Sequence, residues 1–261
     1  MTIRSKLATF LGKAQHPLAV RTVSRVAVEA QPDMVRLDPV QASFLKNQLI
    51  LVDQNDVPIG KASKKECHLW TNILNHGMLH RAFSTLVFDG SDRLLLQKRA
   101  RSKITFPGYW SDSGSSHPLY EEESCCKPEK AVVDTASAKL NQELGIPAEH
   151  IWQSRIDVVS RFIYRAQSDR PEWGEHELNY VVVFRLRKMN GDELLDLNPN
   201  EVEEAKFFSP TDVKSLLSSK SKYIKITPWM QIMGKQFLFP WWQNLNNLEK
   251  LKEDTIRKFY Y

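Results

Sequence analysis

The chain is poor in cysteine, has no long apolar run and, beyond its leading segment, carries no net charge. Three cysteines in 261 residues, Cys67, Cys125 and Cys126, leave one unpaired in any disulfide scheme, and two of them are adjacent. A disulfide framework is therefore not expected, and a reducing compartment fits best. No stretch approaches the roughly 18 consecutive apolar residues that a membrane-crossing helix needs, so no membrane span is expected. There is no internal repeat and no low-complexity tract. What remains is a chain with 42% hydrophobic residues, long enough for one sizeable core.

The formal net charge of +5 is unevenly placed. Arg4, Lys6, Lys13, Arg21 and Arg25 all precede Glu29, the first acid; without those five, 31 basic residues face 31 acidic ones. A balanced body gives no reason to expect a nucleic-acid partner. In the acid-poor leader, Leu7, Phe10, Leu11 and Ala14 fall on one helical stripe, with Arg4, Lys6 and Lys13 mostly off it. That composition, with its Ser and Thr, is expected of a mitochondrial transit peptide over residues 1–35. A disordered basic tail, with the protein cytoplasmic or peroxisomal, is the plain alternative.

In residues 36–261 two stretches predict hairpins, "QLILVDQNDVPIG" around Asn55-Asp56 and "RAFSTLVFDGSDRLLLQKR" around "DGSD". A polar loop is expected over 120–129. The periodicity then predicts a helix over 130–144, with Gly145 as its C-cap. Two strands follow, "SRIDVVSRFIYRA" and "ELNYVVVFRLRK", then a helix begun by Ser209-Pro210 and an aromatic-rich C-terminal third. Strands, a central helix, more strands and flanking helices predict an α+β sandwich in one domain, which is expected to act as a monomer.

His68, His80 and His117 stand out, together with Glu175 and Glu177 in "WGEHELNY". Side chains two apart on a strand point to one face, so both carboxylates can reach one point. Imidazole with carboxylate suits a divalent ion of borderline hardness, manganese, zinc or iron, with magnesium possible. Lone histidines and an exposed Glu-x-Glu face are the bland reading, because spacing across more than 100 residues has no meaning until a fold joins them. Lys64, Arg99 and Lys103, the last two just ahead of the "TFPG" turn, would suit a phosphate group. Lys139 and Glu143 share a helix face. They make either an i,i+4 ion pair or a magnesium ligand beside a phosphate-binding cation.

Taken in order, "KKECHL", "MLHRAF", "RARSKITFPGYW", "SHPL", "ELGIP", "YRAQSD", "WGEHELNY", "ITPW" and "FLFPWWQNL" resemble the type I isopentenyl-diphosphate Δ-isomerases, a branch of the Nudix-fold proteins. The resemblance runs from about Leu49 to about Leu248. It implies a Nudix-type α/β/α sandwich with a mixed sheet, and a metal held by His68, His80, His117, Glu175 and Glu177. It implies a second ion, magnesium on the substrate diphosphate, reached by Glu143, and diphosphate contacts from Lys64, Arg99, Lys103 and Lys139. Tyr164 matches an active-site tyrosine, and Trp241 or Trp242 an aromatic wall for a carbocation. The implied reaction interconverts isopentenyl and dimethylallyl diphosphate by adding a proton on one face and removing one on the other.

Two groups carry those protons in the family, a metal-linked Glu matching Glu177 and a Cys two residues before the His of "HP". Here that position is Ser115, and the family's preceding Thr-Asn pair is Ser111-Asp112. A thiol titrates near 8.5 whereas serine does not titrate near neutrality. Three readings stay open: Ser115 as a relay to a water or an acid such as Asp112, a slow isomerase, or a diphosphate-binding homologue without turnover. Nudix-type diphosphate hydrolysis needs a run of helix glutamates. Glu143 is preceded only by Asn141 and Gln142.

Overall fold

A computed structural model describes residues 37–187 and 191–260, so the expected transit peptide lies outside the described residues. The alternating and β-branched runs become ten strands of one sheet. They are β1 (Gln48–Val52), β2 (Pro58–Ser63), β3 (His80–Phe88), β4 (Leu94–Arg99), β5 (Trp110–Ser111), β6 (Gly114–Ser116), β7 (Arg155–Gln167), β8 (Gly174–Arg185), β9 (Val202–Phe208) and β10 (Arg257–Tyr260). The main order is β10-β7-β8-β3-β1-β2, with β4 also on β3 and carrying β5 and β9. The sheet is mixed, because β3 runs parallel to β8 and β10 parallel to β7, while β7 and β8 are antiparallel.

β3 organises the molecule. One edge pairs with β8 along its length; the other is shared in turn by β1 at His80, β6 at Phe83 to Thr85 and β4 at Phe88. A strand buried on both faces reads as a continuous run rather than an alternation, and every residue of β3 is buried. One face, with Phe83, Val87, Tyr180 and Val182, packs on the Pro128–Leu144 helix through Val132, Ala136, Leu140 and Leu144. The other face, with Leu86, Val181, Phe162 and Tyr164, lies under the helices Pro228–Gln236 and Leu238–Gln243. This is the α/β/α sandwich that the sequence predicts.

Local signals hold where chemistry is strong. Gly145 ends the long helix in the left-handed region at φ 70°, and Ser209 caps its helix reciprocally with Asp212. The expected 120–129 loop is instead a short helix, Glu122–Cys126, followed at Pro128 by the start of the long one. Proline at a first helical position costs no hydrogen bond, so Pro128, followed by Glu129 in the first turn, opens a helix here rather than prolonging a loop. β10 carries no alternation in four residues and forms only because β7 offers an edge.

Gly145 and Gly77 make a controlled pair. Both are left-handed, at φ 70° and 71°, but an added Cβ would fall 2.3 Å from the Asp196 carbonyl oxygen at Gly145 and meets nothing within 4 Å at Gly77. Gly77→Ala is expected to lose only the conformational term of about 1–2 kcal/mol. Gly145→Ala should lose more and lower Tm by about 5 °C or more in a thermal melt. Equal shifts would show that the 196 contact is soft.

Candidate functional site

The strand register assembles the centre. Glu177 of β8 sits directly between His80 of β3 and Tyr164 of β7. Glu175 lies two residues earlier on the same face. The capping box of Ser63 and Glu66 starts the Lys64–His68 helix, which delivers Lys64 and His68 one turn apart. His117 follows β6. One ligand atom from each of His68, His80, His117, Glu175 and Glu177 lies within 4.8 Å of every other. The three imidazole centroids are 4.8, 5.0 and 4.9 Å apart.

This donor set fits a divalent ion. His68 Nδ1 lies 2.7 Å from the Lys64 carbonyl and His80 Nδ1 3.2 Å from that of Met78, so each ring donates outward and turns the Nε2 lone pair inward. Buried His80 Nε2 has no hydrogen-bond partner. Glu175 Oε2 approaches His68 Nε2 to 2.9 Å without hydrogen-bond geometry. Lone pairs facing one another in a buried space call for a cation between them.

Burial shifts His80, His117, Glu175 and Glu177. It pushes His80 down to about 3, with His68 beside it adding to the fall, and it takes His117 well below the usual imidazole value. Burial alone would raise Glu175, but His68 outweighs it and holds the carboxyl down near 2. Glu177 goes the other way, well above the usual carboxylate range, through burial and then the charge of Glu175. Glu177 Oε2 accepts from the Tyr164 hydroxyl at 2.7 Å, and Oε1 is 2.9 Å from His117 Nε2.

The pocket over this centre is lined by Lys64, Arg99, Lys103, Ser115, Tyr164 and Trp229 as well. Lys64 is pushed down to about 8 by burial and then by Lys103. Lys103 pairs with buried Glu201, whose other oxygen accepts from the Gln41 amide at 3.1 Å. The Arg99 guanidinium donates to the Thr105 and Phe106 carbonyls at 2.9 and 3.2 Å, bracing the "TFPG" turn, and lies 5.5 Å over the Trp229 ring. Phe106 holds that turn with φ at 48°, a rare conformation for a side chain of this size, and packs edge-on to Trp229.

Three expectations shift. Neither Trp241 nor Trp242 lines the pocket; the tryptophan that does is Trp229 of "ITPW", 5.8 Å from the Tyr164 ring. Trp241 stacks on Phe237 within the helix–sheet core, and the Trp242 N–H donates to the Asp92 carbonyl at 2.7 Å, so both are anchored elsewhere. Lys139 and Glu143, 3.8 Å apart, lie on the helix of the other sheet face and outside the pocket lining. Lys139 still acts on the pocket by charge, since it is among the cations that lower Lys64. Sequence reasoning also passed over Glu201 and treated Asp112 only as one possible partner of Ser115. Asp112 is fully buried and accepts from Thr85 N, Ser111, Ser115 and Trp229.

The buried imidazoles set a pH dependence for metal-free protein. His80 in the fold lies near 3, below the 6.5 of an exposed imidazole, so the unfolded chain binds the extra proton and stability falls as pH drops through that window. Glu175, near 2, adds stability above 4.5 that is also lost on acidification. In EDTA, His80 and His117 together should outweigh the opposite contribution of Glu177, so the midpoint of urea unfolding should fall between pH 6.5 and 4, and His80→Asn should flatten that slope. A slope unchanged in His80→Asn would exclude this residue as its source.

A family model for the NUDIX domain matches residues 78–230. The chain is 40% identical over 220 residues to an isopentenyl-diphosphate Delta-isomerase of Dictyostelium discoideum, covering 83% of this chain and 90% of that one. It is 42% identical over 218 residues to isopentenyl-diphosphate Delta-isomerase 1 of Mus musculus, covering 81% and 91%. Against the isopentenyl-diphosphate delta-isomerase of Schizosaccharomyces pombe it is 38% identical over 235 residues, covering 88% and 99%. With its NUDIX domain intact, and with likeness of this extent to proteins of one kind, the chain belongs to the isopentenyl-diphosphate delta-isomerase family.

Proposed function

We propose that the protein interconverts isopentenyl and dimethylallyl diphosphate by proton transfer through a tertiary carbocation. The observation that carries this is the pairing of a carboxyl inclined to hold its proton with a pocket that has cations and an aromatic wall. Glu177 is raised well above the usual carboxylate range and hydrogen-bonded to Tyr164, which suits a general acid toward an alkene carbon. Trp229 and Tyr164 offer π faces to the cation. Lys64, Arg99 and Lys103 bind the diphosphate, and the charged form of Lys64, weakened by burial to a pKa of about 8, is strengthened as the anion arrives. Ser115 works from β6, across β3 from Glu177, so the two act on the substrate from different strands.

The residues holding a divalent ion are His68, His80, His117, Glu175 and Glu177, and magnesium, manganese or zinc suits them. Bound there, it would neutralise the two carboxylates and tune how readily Glu177 releases its proton. A magnesium ion carried by the diphosphate would need a ligand beyond the pocket lining, for which Glu143, on the helix packed on β6, is the candidate, with Lys139 adding positive charge. The substrate is a small diphosphate, the acting unit a monomer and the leader through residue 35 a mitochondrial signal. Residues 1–35 fused to a reporter should carry it into mitochondria; a diffuse or peroxisomal reporter would reject that assignment.

Incubated with isopentenyl diphosphate in deuterated water, the protein should introduce deuterium and yield dimethylallyl diphosphate, followed by NMR. Binding without exchange would make it a diphosphate-binding protein instead. Phosphate release from nucleoside diphosphates, with no isomerisation, would make it a hydrolase. Glu177→Gln, which keeps size but removes the acid and an anionic ligand, should lower kcat by about 100-fold or more and weaken metal binding.

A further inference from the structure

We propose that Asp112 serves the pocket from behind Ser115, taking Ser115's own proton as the serine hydroxyl accepts one from the substrate carbon. The proposal rests on the isomerase reading and adds to it a positioning residue that acts through another. A lone serine hydroxyl is a poor base until a neighbouring group removes its proton. At this site that neighbour is already in contact: Ser115 Oγ donates to Asp112 at 2.6 Å from Oδ1 and 2.8 Å from Oδ2. With its hydrogen aimed at the carboxylate, Ser115 Oγ presents lone pairs to the pocket, the orientation of a base.

The carboxylate is built in rather than incidental. Asp112 sits at the corner between β5 and β6, with no exposed surface. Its Oδ1 also accepts from Ser111 Oγ at 2.6 Å and from the Trp229 indole N–H at 2.9 Å, and Oδ2 accepts from Thr85 N at 3.1 Å. All four donors are neutral, so no cation among them competes for the charge. Three of them are held in place: Thr85 N by β3, Trp229 by its helix, and Ser111 by β5, with its hydroxyl 3.2 Å from that of Thr227. Of the four donors Ser115 and Trp229 line the pocket, and of these two only the serine hydroxyl can both accept a proton and give one to Asp112.

The step balances. The substrate C–H bond breaks and its electron pair closes the new C=C bond, quenching the carbocation. The released proton bonds to Ser115 Oγ, while the hydrogen that Oγ carried passes to Asp112. Ser115 ends as a neutral hydroxyl and Asp112 as a neutral carboxylic acid. Glu177 has given the substrate one proton, so the substrate keeps its composition. Both groups re-equilibrate with water when product leaves, and the reverse reaction reverses each transfer.

Ser115→Ala, Asp112→Asn, Ser115→Cys and the double variant Asp112→Asn/Ser115→Cys test this, by kcat and KM for isopentenyl diphosphate with Tm as the check on folding. Ser115→Ala and Asp112→Asn should each lose about 100-fold or more in kcat, with KM little changed. In the Ser115→Cys background, Asp112→Asn should cost less than about fivefold, because a thiol titrating near 8.5 needs no partner. A merely structural Asp112 would be missed equally by serine and thiol, so an equal loss in both backgrounds overturns the proposal. Ser115→Ala turning over like wild type overturns it too, whatever the folding of the Asp112 variants. If wild type binds isopentenyl diphosphate and exchanges no deuterium, it is the isomerase reading that fails, and the relay falls with it.

Discussion

Glu175 and Glu177 are carboxylates two residues apart on one strand face, both nearly without solvent, and a sheet interior tolerates such a pair only when each charge has a partner. Of the three imidazoles that the fold supplies, His68 and His80 turn Nδ1 outward to backbone carbonyls and Nε2 to the centre, while His117 Nε2 hydrogen-bonds Glu177 Oε1. The resulting field splits the pair. Glu175, next to His68, stays ionised, while Glu177 is driven toward its protonated form by burial and by Glu175. A divalent ion would relieve the repulsion between the donors; without one, burial and the charge of Glu175 favour the protonated form of Glu177.

The topology follows from that need. Ligands separated by more than 100 residues must meet, and β3 does this by having β8 on one edge and three short strands in succession on the other. His80 enters from β3 itself, Glu175 and Glu177 from one neighbour and His117 from just beyond another. The cations come from a different kind of element. Lys64 begins a capped helix, and Arg99 and Lys103 flank a turn, so backbone amides and side-chain charges are gathered at one rim of the metal pocket. Glu201 keeps Lys103 paired there, which reduces the mutual repulsion of the lysines.

Local chemistry was the readable part of the sequence. The hairpin turns, the Gly145 cap, the Ser209 cap and the i,i+2 carboxylates depend on neighbours along the chain, and the structure has them all. The ligand set was readable only through resemblance, since no spacing joins His68 to Glu177 without β3. Aromatic density misled: "FPWW" holds more tryptophan than "ITPW", yet pocket access depends on which helix face meets the sheet opening, and Trp241 and Trp242 turn into the core. Asp112 was hard to weigh because a lone acid among serines reads as a turn. Its meaning lies in Thr85 and Trp229, 27 and 117 residues away.

That hub also ties the Ser115 hydroxyl to the Trp229 ring. Trp229 is fixed at its indole N–H by the same Asp112 oxygen that receives the Ser115 hydroxyl, and its ring edge is met by Phe106 in a left-handed turn that Arg99 braces. A carbocation needs its stabilising face and its base at a fixed separation, because a shift of either by about 1 Å loses much of the gain from orientation. Two side chains pinned to one buried carboxylate cannot drift apart independently. Thr85 N anchors that carboxylate to β3, the strand that also carries His80. The His/Glu cluster, the Ser115 hydroxyl and Trp229 are thus referenced to a single strand, which lets a pocket assembled from distant segments hold the spacing that the proposed proton transfer requires.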